Sequence, residues 1–304
     1  MNKILLYAIS LTFSILTLSW SNYQLPVSKV NQSKTIPGGI KGDQIRYGMR
    51  LVAHTSYYLG PKGKVAAMSN GMNCQNCHLE AGTKSFGINY FAVAGSYPKY
   101  QARAGAVVSI AQRINGCFER SLNGKKLAPD SKEMIAMIAY MKWLGESSDQ
   151  IQRSTSGIKK PAYLNEAANP EKGKTVFITK CESCHGKTGA GVINAAGTEY
   201  IYPPLWGKTS YNDGAGLYRI SNFAGFVKNN MPFGVDYNHP QLSDQEAWDV
   251  AAFVNSQPRP HKDQTKDWKD VSSKPIDFPF GPYADNFSES QHKLGPFKPL
   301  LPSK

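Results

Sequence analysis

The chain has 304 residues, a formal net charge of +13 and 41% hydrophobic residues. This composition excludes a disordered or collagen-like protein, and the length favours two domains of about 100 to 150 residues each. The chain contains five cysteines. Because this number is odd, at least one sulfur is left over after any complete pairing.

The N-terminus has the pattern of a secretory signal. Lys3 supplies a positive charge, and an apolar run from Ile4 to Trp20 follows it. We predict that residues 1–21 are a signal peptide cleaved before Asn22 and that the protein is periplasmic. The alternative is an uncleaved membrane anchor, because a run of about 17 residues is at the lower limit for spanning a bilayer.

Two C-x-x-C-H motifs dominate the sequence, at residues 74–78 and 181–185. In this pattern two thiols form thioethers with one porphyrin, and the adjacent histidine supplies an axial nitrogen to the iron. A redox dithiol would not need the histidine, and a four-sulfur zinc site would need the two motifs closer together. We therefore predict two covalently bound haem c groups. The predicted attachment residues are Cys74, Cys77, Cys181 and Cys184, and the predicted axial ligands are His78 and His185.

The elements on either side of the second motif follow a recognisable order. A helix that starts at Pro170 precedes it, Met231-Pro232 follows it, and Ser243 with Glu246 forms a capping box for a last helix. This order resembles a class I cytochrome c domain. In that arrangement Met231 is the sixth ligand of haem 2, with His239 as the alternative.

The first half repeats this plan with one change. A helix over Asp43–Leu51 precedes the motif, and Asp130 with Glu133 is predicted to cap a later helix. Between Leu79 and Glu133 there is no methionine and no histidine, and Cys117 occupies the position equivalent to Met231. The nearby alternatives Lys99, Lys125 and Lys126 would have to lose a proton before they could bind iron.

Cys117 therefore has three interpretations: a catalytic axial thiolate, a buried structural thiol, or half of a disulfide to another chain. Thiolate donation stabilises ferric iron and lowers the haem potential. A sulfur that can also leave the iron is a nucleophile. We predict that Cys117 is the sixth ligand of haem 1 and a catalytic residue.

The residues around Cys117 carry a specific resemblance. The block from Arg113 to Ser121, which follows Tyr97-Pro98-Lys99-Tyr100, resembles the dihaem thiosulfate dehydrogenases that form tetrathionate. The likeness runs from about Gly42 to the C-terminus. It implies that haem 1 is the active site and that haem 2 passes electrons to a small redox protein such as a cytochrome.

The resemblance also implies roles for individual residues. Arg103 and Arg113 match the family's substrate-binding arginines, and Ser121 matches its pocket hydroxyl. The implied reaction joins two thiosulfate ions into tetrathionate, and tetrathionate reduction is a possible second direction. Some family members have a lysine before the haem 2 methionine. Asn230 stands there in this chain, which leaves Met231 uncontested and predicts a comparatively high haem 2 potential.

Helical spacing of four would align Arg113, Cys117 and Ser121 on one face. However, the pair Asn115-Gly116 predicts a helix stop between them. Arg120 and Lys99 are secondary candidates for holding an anionic substrate.

Other functions remain open at this level. A non-catalytic dihaem electron-transfer cytochrome explains everything except Cys117 and its arginines, and a dihaem peroxidase or a component of a sulfur-oxidising complex fits less well. The positive charge would concentrate a dianion and would steer an acidic electron carrier to haem 2. Nucleic acid is not expected as a partner, because there is no basic run and the chain is exported.

These motifs define a mainly α fold with two class I cytochrome c-like domains in tandem and an extended tail. The predicted boundaries are a lead-in over 22–41, a first domain over 42–153, a linker over 154–164, a second domain over 165–258 and a tail over 259–304. We expect the tail to pack on the domains, because its aromatic residues would otherwise be exposed. These aromatic residues are Phe278, Phe280, Tyr283 and Phe297.

Overall fold

The computed structural model describes residues 35–301, so the predicted signal peptide lies outside the described residues. The fold is mainly α-helical, as predicted, and consists of two helical halves that follow each other along the chain. Among residues 35–301, no helix is long and apolar enough to cross a membrane.

Seven helices and a short hairpin form the first half of the described chain. The helices are α1 (Gly39–Ala53), α2 (Thr55–Leu59), α3 (Leu79–Gly82), α4 (Val93–Ser96), α5 (Ile110–Arg120), α6 (Lys132–Ser147) and α7 (Gln150–Ser154). The hairpin pairs β1 (Lys99–Gln101) with β2 (Ala106–Val108) in antiparallel register, with Tyr100 opposite Val107. Its core includes Leu51, Phe118 and Tyr140, each at most 1% exposed.

The second half has the same plan with fewer elements. Its helices are α8 (Pro170–Lys180), α9 (Glu182–His185), α10 (Ile220–Asn230) and α11 (Asp244–Ser256). A second antiparallel pair joins β3 (Val192–Ile193) to β4 (Tyr200–Tyr202). A separate core gathers around Phe177 and Trp248, which are each 1% exposed.

In each domain the first helix packs against a later long helix at a glycine, α1 against α6 and α8 against α11. A Cβ atom added at Gly48 of α1 would lie 2.0 Å from the carbonyl oxygen of Ala136 in α6. A Cβ atom added at Gly173 of α8 would lie 1.9 Å from the carbonyl oxygen of Asp249 in α11. Only glycine allows backbones to approach this closely. The repeated crossing shows that the two halves share one architecture.

The segment after residue 258 packs against both domains. Phe278 is 5% exposed and Phe297 is 3% exposed, and the Phe297 ring lies 5.4 Å from that of Trp248 in the second core. The segment is not wholly extended, because Ser288 caps the short helix α12 (Glu289–Leu294).

Asp277, in the same segment, caps a helix of the second domain. Helix α10 has no side-chain cap of its own, but the backbone N–H of Ser221 donates to Asp277 Oδ2 at 3.1 Å. The Ser221 hydroxyl and the guanidinium of Arg219 donate to the same carboxylate. Asp277 therefore satisfies an N–H group at a helix start that would otherwise be buried without a partner.

Direct hydrogen bonds join the two domains at the end of α5. The Asn212 side chain donates to the carbonyl of Glu119 at 2.8 Å, and the Asn212 backbone N–H donates to the carbonyl of Arg120 at 3.0 Å. Helix ends leave such carbonyls without partners inside the helix. A loop of the second domain therefore closes a helix of the first.

Candidate active site and haem-binding residues

Helix α5 brings the predicted catalytic residues together. Ser109 and Gln112 form a capping box at its start, and Ser121 is its C-cap. The helix stop predicted at Asn115 is wrong. The Asn115 amide donates to the carbonyl of Leu127 and accepts from its N–H, both at 2.9 Å, so a long-range contact holds the residue inside the helix.

Because the helix continues, Arg113 and Cys117 lie one turn apart on the same face. Arg113 Nη1 donates to Cys117 Sγ at 3.1 Å. Burial acts to raise the pKa of Cys117, but Arg113, a hydrogen bond from His78 and the charge of Arg103 together lower it to about 6. The protein environment therefore favours the thiolate at neutral pH.

Cys117 opens into a cavity of about 330 Å³. The first haem motif forms one wall of this cavity and α5 forms another. Its lining includes Cys74, Cys77, His78, Arg113, Cys117 and Ser121, together with Tyr97, Lys99, Met137 and Met141. The two cysteines of the motif are not joined to each other in a disulfide, so both sulfurs are available for thioether bonds.

His78 is oriented for coordination. Its Nδ1 lies 2.6 Å from the carbonyl oxygen of Ile88, so this nitrogen donates, and Nε2 is the ring nitrogen that faces Cys117 and would bind iron. The ring meets Cys117, the proposed second axial donor, in the same cavity. Two attachment thiols, an oriented imidazole and a thiolate thus border one largely apolar space. These residues fit a covalently bound haem.

The three arginines near Cys117 have different partners. Arg103 Nη1 donates to the carbonyl of Gly214 in the second domain at 3.0 Å, and Arg103 does not line the cavity around Cys117. Burial and the neighbouring charges of Arg120 and Arg113 lower the pKa of Arg103 to about 10. Arg120 is paired with Asp267 at 2.8 Å, whereas Arg113 faces the sulfur.

The sequence prediction gave Tyr97 no separate role. Tyr97 lines the cavity and makes a side-chain hydrogen bond with Arg113. Its place in the block Tyr97-Pro98-Lys99-Tyr100 was the one available signal. The Arg103–Gly214 contact had no sequence signal, because it joins residues 111 positions apart.

The second motif has an equivalent histidine. His185 is 9% exposed, and its Nδ1 lies 2.8 Å from the carbonyl oxygen of Pro203, which leaves Nε2 as the candidate ligand atom. Met231 is the C-cap of α10 and packs against the second core. His239, the alternative ligand, has an 85% exposed side chain that lies 3.3 Å from Asp236.

Comparison with known families divides the chain in the same way. Residues 64–148 match the SoxA/TsdA cytochrome c domain, and residues 170–258 match the cytochrome c domain. The protein is therefore a c-type cytochrome with two haem domains, and it carries two covalently bound haem c groups.

Two relatives indicate which family of dihaem cytochromes the chain belongs to. A thiosulfate dehydrogenase of Psychrobacter arcticus is 40% identical over 80% of this chain and 72% of its own length. Another, from Allochromatium vinosum, is 39% identical over 74% of this chain and 82% of its own. The chain belongs to the thiosulfate dehydrogenase family.

A solved structure agrees with this assignment. The thiosulfate dehydrogenase TsdBA of Marichromatium purpuratum, in its as-isolated form, matches with a TM-score of 0.67 and 31% identity over 75% of this chain. The match covers 48% of that protein, so this chain spans about half its length.

Proposed function

We propose that the protein oxidises two thiosulfate ions to tetrathionate at a haem ligated by His78 and Cys117, and passes the electrons through a second haem ligated by His185 and Met231. The observation that carries this proposal is the Cys117 sulfur, which accepts a hydrogen bond from Arg113 in the cavity that the first haem motif lines. A simple electron carrier has no need of a nucleophile at that place.

Cys117 is suited to covalent sulfur chemistry. Its thiolate forms a sulfur–sulfur bond with the terminal sulfur of the first thiosulfate, and two electrons leave in this step. Haem groups held by the two motifs would supply the two one-electron acceptors that this step requires. A second thiosulfate then attacks the same terminal sulfur, tetrathionate forms, and Cys117 leaves as the thiolate. Atoms and charge balance, and no proton is needed.

The arginines suit the substrate's charge. Arg103, Arg113 and Arg120 all lie near Cys117, and Asp267 is the carboxylate that pairs with one of them. The site therefore keeps a positive charge beside the thiolate. Guanidinium groups hold sulfonate oxygens through charge-assisted hydrogen bonds. Ser121, which lines the cavity, is proposed to bind a further oxygen.

The overall charge distribution supports the same assignment. Residues 42–153 carry 14 lysines and arginines against seven acidic residues, whereas residues 165–258 carry seven against nine. The positive excess thus belongs to the domain that contains the proposed substrate site, where it raises the local concentration of a dianion. It does not support the expected steering of an acidic electron carrier to the second domain. The proposed electron partner remains a small redox protein.

The reverse reaction uses the same residues. Attack of the Cys117 thiolate on tetrathionate would release one thiosulfate, and two electrons from the haems would release the other. Periplasmic location is part of the proposal and is supported by the sequence of residues 1–21 and by the covalent haems.

Product analysis of the purified dihaem protein tests this function. Thiosulfate oxidation should yield one tetrathionate for every two electrons delivered to an acceptor, and mass spectrometry should detect a thiosulfate adduct on the peptide that contains Cys117. Steady-state rates in both directions, together with the potential of each haem, determine the preferred direction. A protein that exchanges electrons but forms neither tetrathionate nor adduct would instead be a non-catalytic carrier.

A further inference from the structure

One short segment contacts the proposed ligands of both haems. Residues 84–88, here called the bridging segment, follow the first haem motif. At one end, the carbonyl of Ile88 accepts the hydrogen bond from His78 Nδ1 at 2.6 Å. Near its middle, the carbonyl of Phe86 accepts a hydrogen bond from Asn230 Nδ2 at 3.2 Å. Asn230 directly precedes Met231.

The bridging segment is held in an unusual backbone conformation. Phe86 and Ile88 have φ values of 53° and 56°, in the left-handed region that bulky and β-branched residues rarely occupy. The N–H groups of both residues donate to the linker, at Thr155 (2.9 Å) and Gly157 (3.2 Å). Such conformations persist where the surroundings fix them, and they cluster at functional sites.

Asn230 fixes the second domain to this segment. It is 1% exposed, and its Nδ2 also donates to the carbonyl of Phe226 in α10 at 3.0 Å. One amide therefore ties the last turn of the helix before Met231 to the first domain. The Phe226 carbonyl is buried and the Phe86 carbonyl is part-buried, and the loss of this donor leaves both without that partner.

A second tie secures the loop beyond Met231. Lys84 Nζ donates to the carbonyl of Val235 at 3.0 Å. The rings of Phe86 and Tyr237 also meet edge to face, with centroids 4.7 Å apart. The bridging segment therefore contacts the chain just before Met231, at Asn230, and just after it, at Val235 and Tyr237.

We infer that Asn230 is a positioning residue that keeps Met231 at the haem 2 iron by tying it to the segment that orients His78. This inference rests on the proposed ligand set. Its consequence is that the sixth ligand of haem 2 depends on the contact with the haem 1 domain. The ligands of the two haems are then joined by one structural link, which runs from His78 through the bridging segment to Asn230.

Imidazole titration of the ferric dihaem protein tests the link, because imidazole competes with methionine for ferric iron. Replacement of Met231 at haem 2 is followed by the loss of the methionine-to-iron absorption band. The variant Asn230→Ala should bind imidazole at haem 2 at least about fivefold more tightly than the wild type. The matched control is Asn229→Ala. Asn229 is 4% exposed and donates to Lys159 of the linker at 2.7 Å, and this variant should titrate like the wild type.

A second variant, Lys84→Ala, covers the case in which Asn230→Ala does not fold. Lys84 is half-buried, and its loss should shift the titration in the same direction by a smaller factor. If Asn230→Ala and Lys84→Ala titrate like the wild type, or if Asn229→Ala shifts as much as Asn230→Ala, the link is refuted while the ligand set stands. Absence of the methionine band in the wild type refutes both.

Discussion

Arg113 Nη1 donates to Cys117 Sγ across one turn of α5, at 3.1 Å. This contact places a fixed positive charge beside the one cysteine that is not part of a haem motif. The same charge that favours the thiolate is available to an incoming dianion. The first two predictions follow from this pair.

Replacing Cys117 with serine should abolish thiosulfate oxidation. Serine keeps the side-chain size but removes the sulfur nucleophile, and loss of a covalent nucleophile lowers kcat by about a thousandfold or more. Turnover at saturating thiosulfate measures the loss. The ferric spectrum should lose its His/thiolate signal at haem 1 while the methionine band of haem 2 stays. Unchanged turnover would refute a catalytic role for Cys117.

Replacing Arg113 with glutamine should lower kcat/KM by about 10- to 100-fold, because hydrogen bonds to charged groups contribute about 1.5–3 kcal/mol. Steady-state kinetics with thiosulfate measures this change. Arg120→Gln is the matched control. The Arg120 guanidinium forms an ion pair with Asp267 at 2.8 Å. Replacing Arg120 should therefore chiefly lower the free energy of unfolding. Equal losses of kcat/KM in both variants would contradict the separate roles of these arginines.

Thiosulfate binding should weaken as ionic strength rises. The positive excess lies within residues 42–153, and the Debye length falls from about 30 Å at 0.01 M to about 3 Å at 1 M. We expect at least about a tenfold weakening over this range, since electrostatic focusing raises association by about tenfold or more.

A titration that follows the haem 1 spectrum measures this effect. Binding of imidazole, which is uncharged above its own pKa, should change far less over the same range of ionic strength. A thiosulfate affinity that is independent of salt would show that the first domain's charge does not assist binding.

Replacing Asp277 with asparagine should destabilise the protein and reduce its acid sensitivity. Burial acts to raise the pKa of Asp277, but Arg219 and hydrogen bonds from Ser221 lower it below its ordinary value. Its stabilisation is therefore complete above the unfolded-state pKa of about 3.9 and is lost as pH falls through the lower folded-state pKa.

Loss of one partner from a buried ion pair costs about 3–5 kcal/mol. Urea unfolding should therefore show a deficit of this order for Asp277→Asn at neutral pH, and the deficit should shrink in acid. Asp43→Asn is the control, since this carboxylate also pairs with an arginine, Arg46, but is 75% exposed. A deficit of the same size at both pH values would contradict the charge argument.

The sequence was sufficient for local features. Such features depend only on neighbouring residues, as in the two haem motifs. The capping box at Ser243 and the helix start at Pro170 are where they were predicted. A near miss occurred at α6. Ser131, one residue after the predicted Asp130, accepts the N–H of Met134. Adjacent serine and aspartate are comparable caps, so the sequence pattern did not separate them.

Long-range contacts account for the features that the sequence did not predict. The pair Asn115-Gly116 predicts a helix stop. The helix continues because the Asn115 amide forms two hydrogen bonds with the backbone of Leu127. The hydrogen bond from the Arg103 guanidinium to Gly214 of the second domain joins residues 111 positions apart. Asp277 caps a helix more than 50 residues before it. Each contact depends on packing between segments that are far apart in sequence.

The bonds from Asn212 to the end of α5 bear on how this molecule can be divided. A gene cut within the linker would yield two halves that each keep a haem motif. The first half would lose the groups that donate to the last carbonyls of α5, because Asn212 belongs to the second half. The first domain therefore depends on the second for part of its own structure, and the two should be expressed together.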